Sequence, residues 1–165
     1  MAKQSPVRQK ITATHKPKAV SPKAAGALAL EARATITGRP DFMADDILLG
    51  SGRRTISLAA SVAQFGAYEY RVINVTLDLA IQSGEYTFRA NEPGMVLAMS
   101  YVEFAVVGGN EIYFNCEGVS GTLSIDIEGS HITLNAFSFT ALDSEGKELS
   151  ITGMLDVSST LCDCA

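Results

Sequence analysis

The 165-residue chain has no tryptophan, only two histidines and only three cysteines. It also has no apolar run long enough to cross a membrane as a helix, and the scarcity of histidine, of cysteine and of long apolar runs each weighs against a class of function. A Ser-His-Asp or Cys-His arrangement needs a histidine beside its nucleophile. His15 sits in a basic leading segment, which leaves His131 as the one histidine of the body, and Cys116 reaches it only if their strands pair. An odd cysteine count argues against a closed disulfide framework. Cys162 and Cys164 flank Asp163 without a neighbouring histidine, short of the four ligands of a structural zinc site, so they read as reduced thiols with intermolecular disulfide formation as a minor alternative. The longest apolar stretch near the start, Ala24 to Leu30, is far below the roughly 20 residues of a membrane span. It follows a long basic segment rather than the short one of a secretory signal. The expected location is the cytoplasm, or outside it by export without a classical signal peptide.

Acidic residues are missing from positions 1 to 23, where Lys3, Arg8, Lys10, Lys16, Lys18 and Lys23 stand alone; the remaining seven basic residues share the rest of the chain with all 18 acids. A basic arm therefore precedes an acidic body. Pro6, Pro17 and Pro22 and the small number of large apolar residues favour a solvated arm. Its six cations are also candidate contacts for an anionic partner, whether nucleic acid, a lipid surface or the acidic face of a neighbouring subunit. No aromatic residue interleaves them, so base stacking has no support.

What is abundant is alternation. Leu28, Leu30, Ala32, Ala34 and Ile36 share one parity, and similar patterns recur to Val157 between turns such as Asn91-Glu92-Pro93-Gly94, Gly108-Gly109-Asn110 and Asp143-Ser144-Glu145-Gly146. Period-two apolarity between glycine-bearing turns predicts half-buried antiparallel strands. The expectation is an all-β, antiparallel β-sandwich of about nine strands over residues 27–158, with a flexible, disordered or extended basic arm at 1–26 and a tail at 159–165. The alternation breaks phase near Val72-Ile73 and near Ala136-Phe137, where a bulge or a strand changing sheets is expected. From Met95 to Val107 both parities are apolar. Met95, Leu97, Met99 and Tyr101 are accordingly the expected contact surface, since surplus apolar surface marks interfaces.

Three stretches carry a resemblance: Gly121-Thr122-Leu123-Ser124-Ile125, Ala136-Phe137-Ser138-Phe139-Thr140-Ala141, and Ile151-Thr152-Gly153-Met154-Leu155-Asp156-Val157. Together with Ser83-Gly84-Glu85-Tyr86 they resemble a group of poorly characterised bacterial β-sandwich proteins, many of them lipoproteins, with G-T-L-x-I, F-x-F and I-T-x-G-x-F-x-V strands. The likeness spans residues 68–157. Leu155 stands where that group has an aromatic residue, and Asn135-Ala136 where its F-x-F strand opens with glycine. The resemblance implies a fold and no activity.

The carboxylates form no catalytic constellation. Asp126 and Glu128 share a strand face without a pocket, although a glycosidase pair requires one. Asp143 with Glu145, or Asp41 with Asp45 and Asp46, offers oxygen ligands but follows no calcium-loop pattern. Gly50-Ser51-Gly52-Arg53-Arg54 lacks the lysine and the following helix of a phosphate loop. The expected function is a non-catalytic binding or self-associating structural module without a cofactor, whose partner is itself or another protein. One alternative is a coat- or shell-like protein whose arm contacts nucleic acid or a neighbouring subunit; a second is a small-ligand-binding barrel.

Overall fold

A computed structural model describes residues 31–65 and 68–158. The basic arm with its six cations, His15, and the tail with Cys162 and Cys164 lie outside the described residues. Ten strands follow in order: β1 (Glu31–Ile36), β2 (Phe42–Met43), β3 (Asp46–Ser51), β4 (Thr55–Phe65), β5 (Tyr68–Asp78), β6 (Gly84–Arg89), β7 (Val96–Val107), β8 (Asn110–Glu128), β9 (His131–Leu142) and β10 (Glu148–Ser158). No helix occurs among the described residues.

The all-β antiparallel architecture is as expected, and its pairing traces one sheet. The order is β2-β1-β10-β9-β8-β7-β5-β4-β3, with β6 pairing to the far half of β8 beyond the end of β7's ladder. This sheet curls over a single core to which every strand contributes, from Ala34 and Phe42 through Leu58, Val75 and Phe88 to Phe139 and Ile151. The two sides of the sheet path are also joined by the chain itself. Ala44 donates its N–H to Ala32 O on β1, and the next residue, Asp45, donates to Ser61 O on β4. Between β2 and β3 the backbone thus passes directly from one edge of the sheet to the other, giving a half-barrel.

Local chemistry sets these elements. Gly108 and Gly109 hold φ of 57° and 78° and connect Val107 to Asn110, which pair directly. Two successive residues in the left-handed region match the right-handed twist of the flanking strands. At the β9–β10 turn, Asp143 Oδ1 accepts the N–H groups of Glu145 and Lys147 at 2.9 and 2.8 Å. This carboxylate organises a turn, as aspartates at such positions do.

The phase breaks have different origins. Near Ala136-Phe137 the expected bulge is present: Ser124 pairs with Ala136 and Ile125 with Leu134, so Asn135 is the extra residue. Leu134 and Phe137 both point inward while Asn135 and Ala136 are exposed. Near Val72-Ile73 the expected bulge is not found, because the pairing of β5 with both β4 and β7 runs unbroken through these residues. Ile73 faces the core. Val72 lies on the outer face yet is buried, directly opposite Val102. Both parities are apolar there because both faces of this part of the sheet are apolar. A further bulge falls at Leu97, between the pairs Thr76–Ala98 and Leu77–Val96.

Candidate functional site

The bulge at Leu97 corrects the expected contact surface. It leaves Leu97 and Ala98 exposed, returns Met99 to the core, and places Tyr101, Glu103 and Ala105 behind it on the same inward face. Met99 and Tyr101 are fully buried core residues, while Met95 and Leu97 are exposed. Beyond the bulge, the apolar residues of β7 that face outward are Val102, Phe104 and Val106, on the other parity.

On that outer face the register aligns three aromatic residues. Tyr70 on β5 pairs directly with Phe104 on β7, which pairs directly with Tyr113 on β8. The rings of Phe104 and Tyr113 lie 4.8 Å apart, centroid to centroid, inclined by 47°, a favourable cross-strand pair. Tyr113 is 41 % exposed, and Val106, two residues along β7 from Phe104 on the same face, is 39 % exposed. Val72 and Val102 continue the apolar surface by one cross-strand step.

Directly beneath this row the same strands carry charge into the core. Arg71 and Glu103 oppose each other across β5 and β7, and both are about 1 % exposed. Burying a charge is costly unless it is paired and hydrogen-bonded, and the turn between β1 and β2 supplies partners. Arg71 Nη1 donates to Pro40 O and Nη2 to Asp41 O, each at 2.9 Å. Its guanidinium carbon stands 5.4 Å from the centre of the Phe42 ring, within range for a cation–π contact. Glu103 Oε1 accepts from Arg39 Nε at 2.5 Å and from the Tyr101 hydroxyl at 2.7 Å. Burial, reinforced by the hydrogen bond to Glu103, raises the Tyr101 phenol far above its ordinary range. It therefore stays a neutral donor.

Cys116, opposite Tyr101 on β8, is buried in turn; burial first, then the charges of Asp143 and Glu103, push its thiol up to about 11. A protonated, buried thiol is a poor nucleophile. Its potential base is also distant: His131 pairs with Glu128 at the other end of β8 and lies against Asp156 at 2.5 Å. Cys116 and His131 are not brought together. Asp126 is engaged by the Ser83 hydroxyl at 2.9 Å. Among the described residues no three His, Cys, Asp or Glu side chains cluster as a metal site.

The curled interior is filled by Tyr101, Phe139, Leu58, Met99 and Leu134. A groove of about 360 Å³ lies instead outside, against β1, β2 and β10, lined by Arg33, Thr35, Met43, Thr152 and Met154 among others. The sequence signal for the outward row was the apolarity of β7 on both parities, and the inward cluster had a signal in Arg71 and Glu103, charged residues within apolar strands. Neither signal identified which parity faced out. Comparisons with protein-family models, with curated proteins and with solved structures find no match to this chain.

Proposed function

We propose that this domain is a non-catalytic, self-associating β module whose contact surface is the outer face of β5, β7 and β8. The observation that carries the reading is the row Tyr70–Phe104–Tyr113, extended by Val106, on a surface where an outward strand face is ordinarily polar. Aromatic residues dominate the energetics of protein contacts. A second copy is the natural occupant, because one patch can meet its own image about a two-fold axis. The buried Arg71–Glu103–Tyr101 cluster supports this reading by fixing the strands from behind, so that the aromatic row is presented without ordering cost.

Sedimentation velocity over a wide concentration range tests the proposal. The wild-type chain sediments as a dimer or larger species at high concentration, and Tyr113→Lys shifts it to monomer with unchanged circular dichroism. A wild-type chain that remains strictly monomeric, or a Tyr113→Lys chain that associates as before, overturns it.

A further inference from the structure

Tyr70, Phe104 and Tyr113 stand on a face whose charged residues all carry the same sign. Glu111 lies opposite Val106 and two residues along β8 from Tyr113, and Glu117 lies opposite Ser100. Across β5 and β4 the register runs from Val72 through Ser61 to Asp46 on β3, and Asp78 ends the outward side of β5. Glu111, Glu117 and Asp46 are exposed and Asp78 is half-buried. Partial burial first, and then the Glu111 charge, raise the Tyr113 phenol, so Glu111 acts on the row itself.

No cation offsets these four carboxylates among the described residues of the face. Of the seven basic residues in the body, Arg39 and Arg71 lie on the inner side of the sheet with Glu103, and Arg33 is paired with Glu31 on β1. Arg89 stands on β6 opposite Ser120, beyond the end of β7's ladder. Arg53 and Arg54 occupy the turn after β3, and Lys147 the turn it shares with Asp143 and Glu145. A two-fold contact sets a patch against its own image. Whatever the direction of the axis, carboxylates then approach carboxylates, and the charge term opposes association while the aromatic surface favours it.

We propose that ionic strength regulates this contact: the carboxylates around the aromatic row hold two copies apart at low salt, and screening lets the apolar surfaces meet. The inference rests on the reading of the face as a self-association surface, with a second copy as its occupant. Its direction is opposite to that of a contact built on complementary charges, which salt weakens. The whole chain, at a net charge of -5, also repels its copies, so the effect of the face has to be separated from that of the total.

Sedimentation equilibrium of the full-length chain in about 0.1 M and about 1 M sodium chloride, where the screening length falls from about 10 to about 3 Å, reads the dissociation constant. In the wild type the constant falls as salt rises. At the lower salt Glu111→Gln tightens association by about three- to tenfold, and Glu111→Gln combined with Glu117→Gln flattens the salt response. Glu128→Gln changes the net charge equally but lies at the other end of β8, opposite His131, and leaves the constant near that of the wild type. A constant that rises with salt, or a Glu111→Gln chain that associates no more tightly than Glu128→Gln, overturns the proposal and leaves self-association standing. A wild type and a double variant that are both monomeric at both salt concentrations overturn the reading of the face, and the proposal with it.

Discussion

Arg71 and Glu103 face each other across β5 and β7 inside the core, and the turn that roofs them serves both, giving two carbonyls to the arginine and the Arg39 guanidinium to the glutamate. Removing one member of such a buried set leaves the other charged and uncompensated. Glu103→Gln is expected to destabilise the fold by about 3–5 kcal/mol, measured by urea denaturation. Arg39 is about a quarter exposed, but Arg39→Ala takes from the buried Glu103 carboxylate the guanidinium that donates to it, so a comparable loss is expected. A loss well under about 1 kcal/mol, as for an exposed pair, would show that the roof does not compensate the carboxylate.

A second expectation concerns pH. The Cys116 thiol is raised from 9.0 to about 11 in the folded chain. Below pH 9 both folded and unfolded states hold the proton, and the group adds no pH dependence. Between pH 9 and about 11 the unfolded chain releases the proton while the folded chain keeps it, so stability falls as pH rises, by up to about 1.4 kcal/mol per pH unit. Cys116→Ala lacks this slope. Its stability relative to wild type therefore rises through that window, while Tyr101 titrates alike in both; a constant difference across the window would contradict the assignment.

Two glycines are expected to refuse a methyl group. A Cβ on Gly121 would lie 2.5 Å from Ser138 O and 2.7 Å from Phe139 Cβ, and one on Gly153 would strike Arg33 O and Ala34 Cβ. Because backbone atoms on a neighbouring strand cannot swing aside, Gly121→Ala and Gly153→Ala should each cost about 1–3 kcal/mol. Gly94→Ala, with open space around it, serves as the control in thermal melts.

The bulge in β9 gives a fourth expectation. Deleting Asn135 removes the surplus residue and leaves Leu134 and Phe137 both inward, so the chain should retain a cooperative melt. Deleting Ser138 instead turns Phe139 and Ala141 outward and should abolish cooperative folding. Similar melts for the two deletions would contradict the register.

Strand content and turns were legible in the sequence because half-buried strands write their facing into every second residue, as Leu123, Ile125, Phe137, Phe139, Ile151 and Leu155 do. The stretches that carry the sequence resemblance fall on β8, β9 and β10, which are neighbours, and the glycines in two of them are points of close approach. The facing of β7 was not legible. One extra residue at Leu97 inverts the parity of everything after it, and Met95 to Val107 is apolar on both sides, so no polar marker records the inversion. Continuous pairing at Val72-Ile73 was hidden for the same reason. Strand order was also out of reach, since β1 meets β10 through contacts that leave no trace in local pattern.

Those contacts bear on how the chain reaches its native state. Thr35 on β1 reaches Thr152 on β10 across 117 positions, whereas β3, β4 and β5 form consecutive hairpins. Closing long loops must be paid in entropy before the distant contacts return anything. The Ala44–Asp45 crossing links the two sets of contacts, since adjacent residues bond β1 and β4, so a chain whose local hairpins form first is expected to hold β1 near them before β10 docks.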